Sequence, residues 1–180
     1  GFLADKVEKG SDLKKHVTRA AWLCKADLVS HVVVEFPKLQ GIMGRVYASV
    51  TKEPVAVATA IEEHYRPIYS GGELPETHVG AILAIADKID NICGFFSVGL
   101  TPTGASDPYA LRRQGIGLIQ IMLDKNFSFS LKEMIEKSLK LYGVKGVKKI
   151  REIADPVNTF IQNRMTHLLA EEGFSKDVIQ

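Results

Sequence analysis

Val79-Gly-Ala-Ile-Leu-Ala-Ile-Ala-Asp-Lys-Ile-Asp-Asn-Ile-Cys-Gly-Phe-Phe96 is the stretch that decides the fold. Val79, Ile82, Leu83, Ile85, Ala86, Ile89 and Ile92 recur at intervals of three and four, so their side chains wind round most of a helix. A helix apolar on most sides is buried on most sides. The spacing therefore predicts a central helix, seeded by Pro75 and reaching about Phe96, that other helices must cover. Upstream, Pro54 falls just inside the start of a helix over Val55 to Tyr65, which Pro67 and Gly71-Gly72 end. Before it, Val17, Ala20, Ala21, Leu23, Cys24, Leu28 and Val32 keep helical spacing from near Asp12 to about Glu35. Pro37 breaks that helix and fits the first turn of a short one reaching Tyr47.

Downstream, Gly99 to Ser106 reads as a loop, and Asp107-Pro108 as a cap with a first-turn proline, opening a helix to about Leu123. Ser130-Leu-Lys-Glu133 is a capping box before a helix ending near Gly143. Asp155-Pro156 predicts the start of another helix, ending near Gly173, with a basic segment of unassigned state before it. Val32-Val-Val34 is the only strand-like run, and it folds into helix. The expected fold class is all-α, an irregular bundle of about seven helices with no internal repeat.

The whole chain has 180 residues, enough for one well-buried domain with loose ends. At 46% hydrophobic and 24% charged residues the composition is globular and excludes a disordered or collagen-like chain. A formal charge of +2 leaves a nucleic-acid partner to be decided by the distribution of charge. Cys24 and Cys93 sit in apolar helical contexts without metal-ligand spacing and read as reduced core thiols. Apolar runs such as Gly115 to Leu123 are too short to cross a bilayer, so no membrane is expected and the expected location is cytoplasmic. Both ends look cut: Gly1-Phe-Leu lacks a start methionine, and Asp177-Val-Ile-Gln180 stops just after a plausible helix start at Ser175.

Three kinds of chemistry are open to these residues. Asp27, His31 and Glu35 recur every four residues, Asp87 and Asp90 are three apart on the central helix, and His64 lies between, so acids and imidazoles from several helices could hold a metal ion. The same spacing fits acids that are solvated or paired with Lys25, Lys88 or Arg66. Nucleophilic catalysis lacks a strand-turn-helix setting for any Ser or Cys. Gly41-Ile-Met-Gly44 and Gly94 lack the pattern and lysine of a nucleotide loop and fit close packing or a turn. Lys137, Lys140, Lys145, Lys148, Lys149 and Arg151 fall within fifteen residues, with Arg112-Arg113 on a separate helix. Such a cluster is the footprint of phosphate contact, although a solvated helix face has the same composition.

Lys25-Ala-Asp-Leu28, Glu35-Phe-Pro-Lys-Leu-Gln-Gly-Ile-Met-Gly44, Glu63-His-Tyr-Arg-Pro67, Ala84-Ile-Ala-Asp-Lys-Ile-Asp90, Pro102-Thr-Gly104 and Asp107-Pro-Tyr-Ala-Leu-Arg-Arg113 resemble, in order and spacing, the β chain of bacterial-type tetrameric glycyl-tRNA synthetases. The resemblance runs from about Leu13 to Gly173 and is to a middle portion of a longer chain. Family members carry a further helix between the segments similar to Ala4-Asp-Lys-Val-Glu8 and Leu13-Lys-Lys-His16, whereas here Gly10 runs straight into Ser11. The resemblance implies a ligase that joins glycine to its tRNA with ATP and magnesium, in an assembly of two α and two β chains. The α chain would hold the catalytic core, the β chain would contribute tRNA recognition, and this portion would need no cofactor of its own.

This middle portion also resembles an HD-type phosphohydrolase domain that has lost its centre. Arg19-Ala-Ala-Trp-Leu-Cys-Lys25 is similar to the segment that ends in the His-Asp doublet, with Cys24-Lys25 in its place, and Asp87 stands where a later metal-binding aspartate would be. Ala4 to Gly10 is short, charged and ended by Gly10, so 1–10 reads as a frayed turn or the remnant of a helix, while the resemblance implies a degenerate HD-like domain over 11–125 and a helical extension over 126–180 leading towards a further domain. It implies no metal, with Lys25 paired across the core to Asp87 as a fixed positive charge. Breaking such a pair, if buried, would cost on the order of 3–5 kcal/mol. The site residues expected for RNA are Lys137, Lys140, Lys145, Lys148 and Lys149, then Arg112 and Arg113. The alternatives are an active metal-dependent phosphohydrolase using His64 and Asp87, and a pure subunit-interaction module.

Overall fold

The computed structural model of the chain describes residues 1–7, 12–69, 71–171 and 173–174. Among them are nine α-helices and no strands: α1 Phe2–Val7, α2 Asp12–Leu23, α3 His31–Glu35, α4 Ile42–Val50, α5 Val55–Glu63, α6 His78–Ser97, α7 Leu111–Asp124, α8 Leu131–Leu141 and α9 Val147–Glu171. Two single 3-10 turns, Ala26–Val29 and Pro37–Leu39, flank α3. The fold is all-α, as the periodicity predicts. The junction Gly10-Ser11 and the helix start at Ser175 lie outside the described residues.

The helices pack as two compact units, one of Gly1–Asp87 with Ile121–Phe127 and one of Lys88–Gln120 with Ser128–Gln180. This division by packing is drawn differently from 1–10, 11–125 and 126–180, which follow resemblance. In the first unit α5 packs against both α2 and α4, and Val17, Ala20, Val57, Ala60, Ile61, Ile82 and Ile85 form the buried core. The segment expected to fray is the helix α1, which buries Leu3 and Ala4 and packs on α2. In the second unit α8 packs on α9, and Ile92, Leu118, Ile135, Leu139, Val157 and Ile161 are buried.

Four sequence expectations about boundaries are corrected. The first helix ends at Leu23, not near Glu35, because Asp27 is buried and turns its carboxylate to backbone donors outside its own helix. A new start follows at Ser30, whose Oγ accepts from the Val33 N–H. The short helix after Pro37 is a 3-10 turn followed by α4, which reaches Val50 rather than Tyr47; Gly41, at φ +79°, makes the bend between them. Asp107 holds the start of α7 from a distance: its carboxylate accepts from Leu111 N (2.8 Å) and Arg112 N (2.9 Å), so the helix opens three residues beyond Pro108. Finally, α9 begins at Val147 and runs through Pro156. The proline forfeits one backbone hydrogen bond, and burial of Val157, Ile161 and Leu168 on the same helix outweighs it. Ser130 caps α8 as expected, accepting from Glu133 N.

Candidate functional site

The polar residues of the first unit gather where the chain leaves α2 and where α5 ends. Lys25 follows the last turn of α2, and its Nζ lies 3.0 Å from Asp87 Oδ1 on α6 and 2.9 Å from Nε2 of the fully buried His64. The same ammonium stands 4.4 Å from the centroid of the Tyr65 ring. His64 places Nδ1 2.6 Å from the Ile61 carbonyl oxygen. A carbonyl only accepts and an ammonium only donates, so His64 carries its proton on Nδ1 and accepts from Lys25 through Nε2. The neutral tautomer follows from these two partners.

Asp27 has a different task. Its Oδ2 accepts from Gly41 N at 2.7 Å and Gly44 N at 3.0 Å, fastening the start of α4. An anion at those N–H groups complements the helix terminus. A Cβ at Gly44 would come within 2.6 Å of Ile61 Cγ2 and 3.2 Å of Asp27 Oδ2, so the close approach of α4 to α5 requires glycine there. Glu63 does the same service for α6: its Oε1 accepts from Glu76 N at 3.0 Å, and its Oε2 accepts from Thr77 N at 3.2 Å and from Thr77 Oγ1. Thr77 Oγ1 in turn accepts from Gly80 N.

Burial and the neighbouring acids act together on the weaker acids of this cluster. Burial raises the Tyr65 hydroxyl well above its usual range, with Asp27 and Asp87 adding to the effect. Burial also raises the Cys24 thiol, against the opposing charge of Lys25. Neither group is poised as a nucleophile.

The metal constellation that the spacing leaves open is not assembled among the described residues. Asp27 lies in the turn 26–29 while His31 and Glu35 lie exposed on α3, so the three do not share one helix face. Asp90 is exposed in the second unit, where the Tyr142 hydroxyl donates to its Oδ2 at 3.0 Å. The alternative pair His64 and Asp87 does not fit a divalent ion either. The atom between them is a lysine ammonium, which has no lone pair to give and whose charge repels a cation. Among the described residues no three His, Cys, Asp or Glu side chains are arranged to hold a metal. Nor do Gly41 and Gly44 offer N–H groups to a phosphate, since the Asp27 carboxylate already takes both.

Lys25 differs from expectation in one respect: its side chain is 42% exposed, against 20% for Asp87, so the pair lies at the edge of the core. Sequence reading placed Lys25, Asp87 and His64 here and missed Tyr65, Glu63 and the anchoring task of Asp27. The signals were the block Glu63-His-Tyr-Arg-Pro67 and an acid placed shortly before Gly41-Ile-Met-Gly44.

The basic residues belong to the second unit. Lys137 and Lys140 lie exposed on α8, Lys145 in the turn after it, and Lys148 and Lys149 in the first turn of α9. None of the five is tied up in an ion pair among the described residues. Arg113 is exposed. Arg112 is partly buried and donates from Nη2 to the Gly104 carbonyl at 2.7 Å, which pins the loop before α7. Among the described residues no helix is long and apolar enough to cross a membrane.

The arrangement defines a class: an all-helical module whose buried acids fasten backbone, whose Lys25 stands between His64 and Asp87, and whose exposed lysines on α8 and α9 belong to the other unit. Comparison with known proteins makes the class particular. The chain belongs to the family described as glycyl-tRNA synthetase beta subunit, whose sequence profile matches residues 1–180. It is 54% identical over 178 residues to the glycine–tRNA ligase beta subunit of Desulforapulum autotrophicum and 52% identical over 179 residues to that of Desulfatibacillum aliphaticivorans, covering 99% of this chain and 26% of each relative. The corresponding subunit of Geobacter metallireducens is 49% identical over 176 residues, 98% of this chain and 25% of the relative. The chain thus spans about a quarter of the length of the relatives it matches.

Proposed function

We propose that the chain is a scaffold and tRNA-contacting part of a glycine–tRNA ligase β subunit, with no turnover of its own. In this reading the whole enzyme attaches glycine to its tRNA in the cytoplasm. It does so as an α2β2 assembly whose α chain uses ATP and magnesium. Residues 11–125 are a degenerate HD-type frame in which Lys25 takes the place of a cation beside Asp87.

The observation that supports the tRNA contact is the exposure of Lys137 and Lys140 on α8, Lys145 after it, and Lys148 and Lys149 in the first turn of α9. Gly146, at φ +88°, turns the chain between them. The N-terminal end of α9 adds a partial positive charge to its own lysines, which favours phosphate over any apolar partner. Arg113 extends the set on α7, and Arg112 serves mainly to hold the Gly104 loop.

Phosphate contact predicts a particular salt dependence. For the full-length enzyme and its tRNA, Lys145→Ala, Lys148→Ala and Lys149→Ala combined should reduce the slope of log affinity against log salt by roughly 2–3, at about 0.7–0.9 for each phosphate no longer neutralised. An unchanged slope would remove the lysines from the interface.

A further inference from the structure

Helix α4 is packed with its small residues inward. Gly44 and Ala48 face the core, while Ile42 and Val46 are 41% exposed and Val50 is 75% exposed, one above another at intervals of four. Val55, across the turn that joins α4 to α5, is 82% exposed. The turn 26–29 packs on α4 and carries Val29 at 86% exposure, and Phe36 closes α3 at 59%. A solvated helix has the opposite pattern, with its large apolar residues inside. Scattered exposed apolar residues are ordinary, but a run of them on adjoining elements marks a contact surface.

The charge on this face selects the partner. From Leu28 to Val55 the acidic and basic residues are His31, Glu35, Lys38, Arg45, Lys52 and Glu53; Arg45 is held by Glu62 at 2.9 Å and Glu53 is taken by Arg19, so Lys38 and Lys52 are the lysine or arginine cations left on this stretch. Nucleic acid, which needs several unpaired cations, does not suit such a surface. Apolar protein does.

We infer that another portion of the same β polypeptide covers this face, presenting apolar side chains with few charges. Relatives of this chain are about four times its length. A segment tethered to the face meets it at a high effective concentration that a separate chain must match by affinity. The inference concerns the first unit and stands apart from the lysine face of the second.

Thiol labelling of the full-length β subunit, purified without α subunit or tRNA, tests it. Cysteines introduced by Val29→Cys and Val50→Cys occupy highly exposed positions that the core does not need, so either one can report if the other fails to express. Read as the increment over the parent protein, each should label at least tenfold more slowly than in the urea-unfolded subunit, independently of protein concentration. Labelling as fast as in the unfolded chain overturns the inference. So does protection that appears only on adding α subunit, only on adding tRNA, or only as β concentration rises, each of which assigns the face to that other occupant.

Discussion

The carboxylate of Glu63 lies directly over the Cα of Gly80, in the space a side chain would fill. A Cβ at Gly80 would fall against Glu63 Oε2 and within 2.8 Å of Glu63 Cβ. The hydrogen bonds from Glu76 N, Thr77 N and Thr77 Oγ1 fix the carboxylate there, so it has little freedom to yield. Inside a helix, alanine is ordinarily favoured over glycine by about 1 kcal/mol. Here the overlap decides the sign, and Gly80→Ala should destabilise by about 1–3 kcal/mol in denaturant unfolding. Adding Glu63→Ala should remove the carboxylate's share of the overlap, though not that of Glu63 Cβ, and should lose the cap, so the double variant should fall short of the sum of the two single effects.

Asp27 should prove more sensitive than any exposed acid of the chain. Removing its carboxylate by Asp27→Ala leaves the N–H groups of Gly41 and Gly44 without their acceptor in a buried place. Each such loss costs about 1–3 kcal/mol, so a total of about 3 kcal/mol is expected. Asp27→Asn keeps one carbonyl acceptor for both donors and should lose about half of that. Equal losses for the two variants would show that charge, not hydrogen bonding, is what matters at the start of α4.

Lys25→Ala should destabilise by only about 1–2 kcal/mol. The larger figure for a buried pair does not apply, because water reaches the lysine side chain and screens its pairing with Asp87. A double-mutant cycle with Asp87→Ala should give a coupling of about 1 kcal/mol or less, falling as salt is added. A coupling above about 3 kcal/mol would restore the picture of a sealed ion pair.

The parts of the fold that were legible in the sequence are those written in local pattern. Apolar spacing from Val79 to Ile92 specifies a helix buried on most sides, Pro54 marks the start of α5, and Ser130 with Glu133 marks that of α8. Asp27 shows what local pattern cannot carry. Its partners lie 14 and 17 residues away, while the apolar spacing from Val17 to Val32 continues unbroken through the place where the helix stops. Ser30 was a cap signal hidden inside that rhythm. Pro156 shows the converse, a strong local stop overruled by the burial of Val157 and Ile161 just beyond it, with Ile150, Ile153 and Ala154 half-buried before it. At the candidate site, the pairing of Lys25 with Asp87 came from resemblance, because no periodicity links residues 62 positions apart. His64 is the third member of that contact, and its part depends on an Ile61 carbonyl that no motif displays.

Stability should fall in alkali. Burial pushes the Cys93 thiol up to about 12 from an ordinary value of 9.0, and raises Cys24 and Tyr65 as well. Above about pH 9 the unfolded chain releases the Cys93 proton while the folded chain keeps it. The unfolded state then binds fewer protons, and unfolding becomes easier with each rise in pH. The contribution is intact below pH 9 and is lost progressively towards pH 12. In urea titrations at fixed pH, Cys93→Ala should remove about 1 kcal/mol per pH unit from the slope in that window. An unaltered slope would mean that the folded thiol ionises at its ordinary value.

Pro156 sits exposed in the tenth position of α9, where its ring takes one N–H out of the helix. The same burial that carries the helix through this point means that the proline is tolerated, not required. Pro156→Ala should therefore stabilise the chain by about 1–3 kcal/mol, the usual penalty of an interior proline less any bend the helix already accommodates. Val157→Ala, at a fully buried neighbour, should act in the opposite direction by about 1–3 kcal/mol as side-chain volume is removed from the packing of α8 on α9. If Pro156→Ala destabilises instead, the bend it imposes is needed to seat Ile161 and Leu168, and the proline belongs to the packing of the second unit. Thermal unfolding of the two single variants and the pair separates these outcomes, since a proline that is only tolerated leaves the effect of Val157→Ala unchanged.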